Sequence, residues 1–310
     1  MPGKADSSYI GLAFVGVYVG MSALREIYFA SILHSLDIFT LISLTFLIAT
    51  LVFATKELVH GQVRERARLL RAHGRDLLFI NVTSAVMWFA FIWALKFVEP
   101  AVVSAVNGSV QPVAALALGA LILGTMRIGK YEVVSSVGLI ASIAYLAWTI
   151  LTGHASHPSD HLQTVAGIGG AIVSGIVTAA NNLLAKRLSN AGVTPSLLMA
   201  TRFWLLVICC GIFVAVANPM GFDVDFTTLT KVVGIAVLGI VIPVYCLQIG
   251  ISKTDVTSAS MVVAGGPLLT FAFQNALGGY SFSLHSLAGI VAALGFVSVG
   301  VVSRMRTVAT

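Results

Sequence analysis

Apolar residues run along this chain in long blocks separated by short polar breaks, and ten of the blocks are long enough to cross a bilayer as helix. About 20 helical residues span the roughly 30 Å hydrocarbon core. The blocks fall near residues 9 to 29, 34 to 55, 76 to 96, 101 to 123, 132 to 151, 164 to 185, 195 to 216, 230 to 251, 256 to 277 and 284 to 303. They predict an all-α membrane protein with ten transmembrane helices. The first block ends without a small-residue cleavage site, so it is expected to be a spanning helix rather than a removable signal peptide.

Two blocks repeat each other. Ala101 to Gly124 continues after its alanine as VVSAVNGSVQPVAALALGALILG, and TSASMVVAGGPLLTFAFQNALGG follows 155 residues later. Laid together without a gap, Pro112 falls on Pro267, Ala105 on Ser260, Ala117 on Ala272 and Gly124 on Gly279. A mid-helix proline frees a backbone carbonyl one turn back and bends the helix. In lipid that is tolerated only where protein or a water-filled cavity meets the freed group. The expectation is two broken helices meeting at a cavity, with Pro112 and Pro267 as hinges.

Composition agrees with the pattern. The chain has 310 residues, 58% hydrophobic and 10% charged, with a mean hydropathy of +0.98, and no water-soluble core can hide that much apolar surface. The net charge of +6 reads as a topology signal rather than a nucleic-acid footprint. With the N-terminus inside, 14 of the 18 basic residues fall on the inner side: Lys4, Lys56, Arg64, Arg66, Arg68, Arg71, Arg75, Arg127, Lys130, Lys186, Arg187, Lys253, Arg304 and Arg306. The other four are Arg25, Lys96, Arg202 and Lys231. Both termini are therefore expected in the cytoplasm, in a cell inner (plasma) membrane. Five helices (1–152), an outer linker without Lys or Arg (153–163) and five more (164–310) make the second half an inverted copy of the first. Inverted repeats with interrupted helices are the layout of a secondary transporter.

The two five-helix halves, with WALKFVEPAVVSAVNGSVQPVAALALGALILG in helices three to four and its relative in eight to nine, resemble the drug/metabolite transporter superfamily, specifically the EamA-type domain repeated twice. That resemblance implies a transporter of small metabolites, with export of amino acids or their derivatives first in line.

Polar stripes inside the spans supply the candidate site. Asn107 and Gln111 share a helix face one turn from Pro112. Spacings of three and four also align Asn81, Ser84 and Trp88 on one helix, Ser174, Thr178 and Asn181 on another, and Tyr18 and Ser22 with either Arg25 or Glu26 on the first. Tyr245, Gln248 and Gln274 complete the set. Polar groups in contact with lipid are costly, so the stripes should face inward, either as helix-to-helix hydrogen bonds or as the lining of a cavity. The amides would then contact a small-molecule substrate, and Tyr18, Trp88 and Tyr245 would suit its apolar part. Arg202 lies well inside a span, so it either holds a substrate carboxylate or plays a structural part, snorkelling or bonding a backbone carbonyl; members of the resembled family often carry arginine near the start of this helix. No carboxylate is expected at the midplane. Facilitation, exchange and proton antiport stay open, with Glu26 as the candidate proton site.

Other chemistry is not indicated. Cys209, Cys210 and Cys246 lie in apolar runs, without a disulfide framework or metal spacing. GTMRIGK at Gly124 to Lys130 has phosphate-loop spacing, but Tyr131 replaces the required Ser/Thr and a helix precedes it. Sequons at Asn81 and Asn107 fall inside the bilayer. Hydrolase signatures are missing, so neither an enzyme nor a cofactor is expected. In the linker, His154, His157, Asp160 and His161 have spacing that could hold a metal, with a solvated linker as the plainer reading. A scaffold, an importer and an exporter of drugs or metallophores are the alternatives. The loop ELVHGQVRERARLLRAHGRD reads as a topology anchor or a short interfacial helix on anionic lipid. Gly138, Ala141, Gly289, Ala292 and Gly295 allow close helix packing, within one chain or between two copies of a homodimer.

Overall fold

The computed structural model describes residues 4–59, 63–123, 130–152, 161–217, 225–254, 259, 262–277 and 279–309. Thirteen α-helices and one π-helical turn are found among them. In chain order these are α1 (Lys4–Ile32), α2 (Ile38–Val59), α3 (Val63–Ala72), α4 (Gly74–Phe97), α5 (Pro100–Leu123), α6 (Lys130–Leu151), α7 (His161–Asn190), α8 (Pro195–Thr201), α9 (Trp204–Ala217), α10 (Phe226–Gly234), the π turn (Ile235–Val241), α11 (Ile242–Lys253), α12 (Gly266–Leu277) and α13 (Leu284–Ala309).

Among the described residues, eight stretches are long and apolar enough to cross a membrane: α1, α2, α4, α5, α6, α7, α8 with α9, and α10 through α11. The ninth and tenth predicted spans correspond to the shorter apolar helices Val262–Leu277 and Leu284–Gly300. The outward faces carry apolar side chains at helical spacing. Val133, Val137 and Ile140 on α6, and Ile208, Ile212 and Val216 on α9, are all exposed. In water such faces would need a polar skin; against lipid chains they need none.

Local signals set the helix ends. Asp37 accepts from the amides of Phe39 and Thr40 ahead of α2, and Thr194 from Leu197 ahead of α8, with Pro195 in the first turn, where its fixed φ and missing N–H cost nothing. Gly192, at φ +92°, lets the chain leave α7 through a left-handed residue.

The largest packing interfaces join the first half to the second. α1 packs on α11 and α12, α2 on α8 and α9, α4 and α5 on α7, and α6 on α13. Small residues permit the closest approaches. Gly138 lies against Phe296, Gly289 against Leu146 and Gly300 against Ser135, so these glycines of α6 and α13 serve packing within the chain. Helix α3 turns Leu69 and Leu70 onto the cluster of Ile80, Leu184 and Leu188 at one end of the bundle. Its apolar side is thus covered by protein, with Arg64, Arg68 and Arg71 exposed.

Two expectations about helix continuity change. The predicted span 195 to 216 is broken at Arg202 and Phe203. Its exposed backbone groups are met by Asn81, whose amide nitrogen donates to the Thr201 carbonyl at 2.8 Å and whose oxygen accepts from the Leu205 amide at 3.3 Å. Helix α5, by contrast, runs through Pro112 without interruption. In the second copy the turn at Gly265 separates residues 262–264 from α12, and Pro267 sits in the first turn of α12.

Candidate functional site

A central cavity of about 70 Å³ opens where α1, α4, α5, α7 and the segment from Val263 into α12 converge. On α1, Tyr18, Ser22, Arg25 and Glu26 point into it, because offsets of four, seven and eight place residues on one helix face. On α4, Met87, Trp88 and Phe91 form the apolar wall. Trp88 is backed by Phe46, ring centres 5.0 Å apart. The volume is below the roughly 300–1,000 Å³ of small-molecule pockets, so in this conformation the cavity has room for a few water molecules.

The cavity holds a buried pair of charges. Arg25 is 4% exposed and Glu26 is 6% exposed, with guanidinium and carboxylate 3.6 Å apart. Arg25 also donates to the Gly239 carbonyl at 3.3 Å, and its guanidinium carbon stands 4.9 Å from the Trp88 ring centre. The sequence explains why that carbonyl is available. Pro243 lies four residues after Gly239 and has no N–H to bond it, and the helix widens there into the π turn. A Cβ on residue 239 would sit 2.9 Å from Cγ of Arg25, so glycine is what lets the arginine approach. Glu26 is held separately, accepting from the Thr270 hydroxyl at 2.8 Å. Arg25 also lines a groove of about 570 Å³ between α1 and the π turn, where Tyr28 and Leu238 are exposed.

On α5 the two predicted amides form a relay. Gln111 donates to Asn107 at 2.6 Å, Asn107 to Ser174 at 2.8 Å, and Ser174 to the Met87 carbonyl at 2.9 Å. Four residues before Pro112 stands Gly108, whose carbonyl loses its usual donor in the cavity wall. A Cβ there would lie 3.9 Å from Cγ of Pro267, so the proline regions of the two copies meet at this point.

Of the sequence candidates, Tyr18, Trp88, Asn107, Gln111 and Glu26 share the cavity with Pro267. Others lie elsewhere. Arg202, 1% exposed, donates through Nη2 to Oδ1 of Asn181 and through Nε to Ser84 at 3.3 Å. Asn181 in turn donates to Thr83 and Ser84, so this cluster ties the break after α8 to α4 and α7. Asn81 serves the same break. Gln274 accepts from the Ala101 amide at 2.9 Å, one of the first-turn donors a helix leaves open. Tyr245 pairs with Lys56 at 3.1 Å and Phe53. Gln248 is buried, with its amide nitrogen unbonded. Of the linker residues, His154, His157 and Asp160 lie outside the described residues, and His161 opens α7.

Sequence reading singled out Arg202 inside a span and left Arg25 and Glu26 as alternatives on the α1 stripe; the structure puts Arg25 and Glu26 together in the cavity wall. It also left out Gly239, Thr270, Met87 and Phe91. For Gly239 the available signal was a glycine four residues before an intramembrane proline. Outside the spans, Tyr280 is pushed above its ordinary value by burial and then by the Glu99 carboxylate.

Residues 165–303 match the EamA-like transporter family. A solved crystal structure of another protein has the same fold, with a TM-score of 0.68 over 98% of this chain and 99% of that one, at 17% identity. No curated protein matches the sequence.

Proposed function

We infer that this membrane protein, whose residues 165–303 match the EamA-like transporter family, moves a small amphipathic metabolite across the inner membrane by alternating access through the central cavity. Amino acids and their derivatives are the first substrates to test, and export is the direction proposed. The observation that carries this reading is a buried, charged and amide-lined cavity built from both halves of the chain, with an aromatic wall on one side. Buried ionisable groups in membrane helices are costly and mark substrate or ion paths.

Packing supports an inverted repeat of residues 1–152 and 164–310, and the distribution of basic residues favours both termini in the cytoplasm. Matching α1 with α7, α4 with α10–α11, and α5 with α12 exchanges the α4–α7 interface for α11–α1, and the α5–α7 interface for α12–α1. Both members of each exchanged pair are present. Such an arrangement lets one half rock against the other, with flexure near Gly108 and Pro267. Substrate would enter only as the cavity widens beyond the narrow state described above.

The test is flux into liposomes containing the purified protein, using radiolabelled amino acids with and without a pH gradient. Saturable flux in the parent protein, lost in Gln111→Leu, is the expected result. A parent protein that moves no amino acid, nucleoside or drug under any gradient would refute the transporter reading. Flux that depends on the pH gradient would assign Glu26 a coupling role.

A further inference from the structure

We propose that Arg25 anchors the carboxylate of the transported molecule, and that Glu26 is the group this carboxylate displaces and then meets the substrate's ammonium. The proposal rests on the transporter reading and names the substrate chemistry of the same cavity: a zwitterion with an apolar side chain.

The first ground is an excess of unused donors. The guanidinium has five N–H groups, yet its one hydrogen bond to protein in this geometry is to the Gly239 carbonyl, and the 3.6 Å approach to Glu26 is longer than a charge-assisted bond of about 2.7–2.9 Å. Nε of Arg25 has no partner. Two other buried donors of the same cavity, the Trp88 indole nitrogen and the Ser22 hydroxyl, also have none. Buried polar groups without partners are rare and ask for a cause. A carboxylate offers about four acceptor positions, and its planar edge matches the guanidinium fork.

The second ground is that Arg25 and Glu26 are separable. Glu26 keeps the Thr270 hydroxyl at 2.8 Å when Arg25 turns away, and Arg25 keeps Gly239 and the Trp88 face. Arg202 has no such freedom, because two of its nitrogens are committed to Asn181 and Ser84. The third ground is net charge. With both groups ionised the pair sums to zero, and a bare anion would then leave a buried uncompensated charge, which is strongly unfavourable. A zwitterion restores neutrality by giving its carboxylate to Arg25 and its ammonium to Glu26. Met87, Trp88 and Phe91 then receive the apolar side chain.

The experiment measures uptake of radiolabelled L-phenylalanine and L-phenylalaninamide by proteoliposomes. The parent protein is expected to move the acid and to discriminate against the amide. Arg25→Gln should lower uptake of the acid by about thirtyfold or more, the lower end for truncating a buried charged contact, and Arg25→Lys should restore part of it. Because Arg25→Gln leaves Glu26 buried and unpaired, the Arg25→Gln/Glu26→Gln protein provides a neutral control for folding and should also lose uptake of the acid. Thermal protection of the parent protein in detergent by the acid, and not by the amide, is the matching binding result. Equal transport or protection by acid and amide would overturn the inference, as would undiminished L-phenylalanine uptake by either variant. If the parent moves neither probe but moves a neutral solute, the inference fails and the transporter reading stands. Movement of no solute at all removes both.

Discussion

Asn181→Leu is expected to destabilise the protein more than Arg202→Leu, and the two losses should not add. Arg202 and Asn181 are 1% and 0% exposed, and the Asn181 oxygen receives the guanidinium Nη2. Removing Asn181 leaves a buried cation whose remaining side-chain partner is Ser84 at 3.3 Å. A lost hydrogen bond to a charged group is worth about 1.5–3 kcal/mol, and stranding a buried charge raises the cost toward about 3–5 kcal/mol. Removing Arg202 takes the charge away. Asn181 then keeps Thr83 at 2.8 Å and Ser84 at 2.9 Å, and its unbonded oxygen costs about 1–3 kcal/mol. The double Leu variant leaves neither orphan, so a coupling of about 1.5–3 kcal/mol is expected. That exceeds the average of about 0.6 kcal/mol for a hydrogen bond between membrane helices. Reversible SDS unfolding of the four proteins in mixed micelles measures the cycle. Losses that add to within about 0.5 kcal/mol would refute the reasoning. Parent-like stability of Arg202→Leu with a tenfold higher KM for carboxylate substrates would instead return Arg202 to the substrate site.

Three further outcomes follow from close contacts and caps. Gly239→Val places carbon 2.9 Å from Cγ of Arg25, so overpacking of about 1–3 kcal/mol and loss of carboxylate uptake are expected. Gly234→Ala, with open space around it, should keep full uptake and gain about 0.5–1 kcal/mol of helix stability; equal behaviour of the two variants would contradict the packing at Gly239. In Gly175→Leu the new Cβ would meet Val110 at 2.7 Å and the Asn107 carbonyl at 2.8 Å, forcing α5 off α7, and unfolding should show a loss of about 1–3 kcal/mol or more. The Asp225 carboxyl is held below the ordinary value by hydrogen bonds from Thr228 and then Thr227. Its stabilisation of α10 is therefore present above the unfolded value of about 3.9 and is lost as pH falls through the lower folded value. Hydrogen-exchange protection at Thr227 and Thr228 should fall across that acid range in the parent, stay nearly flat in Asp225→Asn and be low throughout in Asp225→Ala.

Much of the fold was legible because bilayer thickness imposes a length on every apolar block, and caps such as Thr194–Pro195 mark helix starts locally. The break at Arg202 and Phe203 was not, because VTPSLLMATRFWLLVICC is apolar on both sides of it. What stabilises that break is Asn81, more than a hundred residues away in sequence. The candidate site shows the same division. Helical spacing marked Tyr18, Trp88, Asn107 and Gln111 as inward-facing, and they line the cavity. Asn81, Asn181 and Gln274 gave the same signal, yet their amides are used on a helix break, a guanidinium and a helix start. Spacing reports that a polar side chain faces protein; it carries no information on whether the group opposite is a cavity or a backbone atom.

The contact of Arg25 with Gly239 was not legible for a different reason, and the two prolines make it plain. Each removes the donor that would bond a carbonyl four residues earlier, and in both cases that earlier residue is glycine. At Pro243 the freed Gly239 carbonyl is taken by Arg25 from another helix, which joins α1 to the π turn through a charged contact with no room for a side chain at residue 239. At Pro112 the freed carbonyl belongs to Gly108, which faces Pro267 across ordinary van der Waals distance. The first arrangement locks two helices and presents the unused edge of a cation. The second leaves Gly108 and Pro267 in contact without a bond between them, the two helices being tied instead at the start of α5, where Gln274 accepts from the Ala101 amide. The alternating access proposed above would use both kinds of joint, because substrate must be held by a fixed group while the walls around it separate. On that proposal α1 and the π turn would move as a unit, and the relative motion would be taken up at the contact of Gly108 with Pro267, away from the bond of Gln274 to the Ala101 amide.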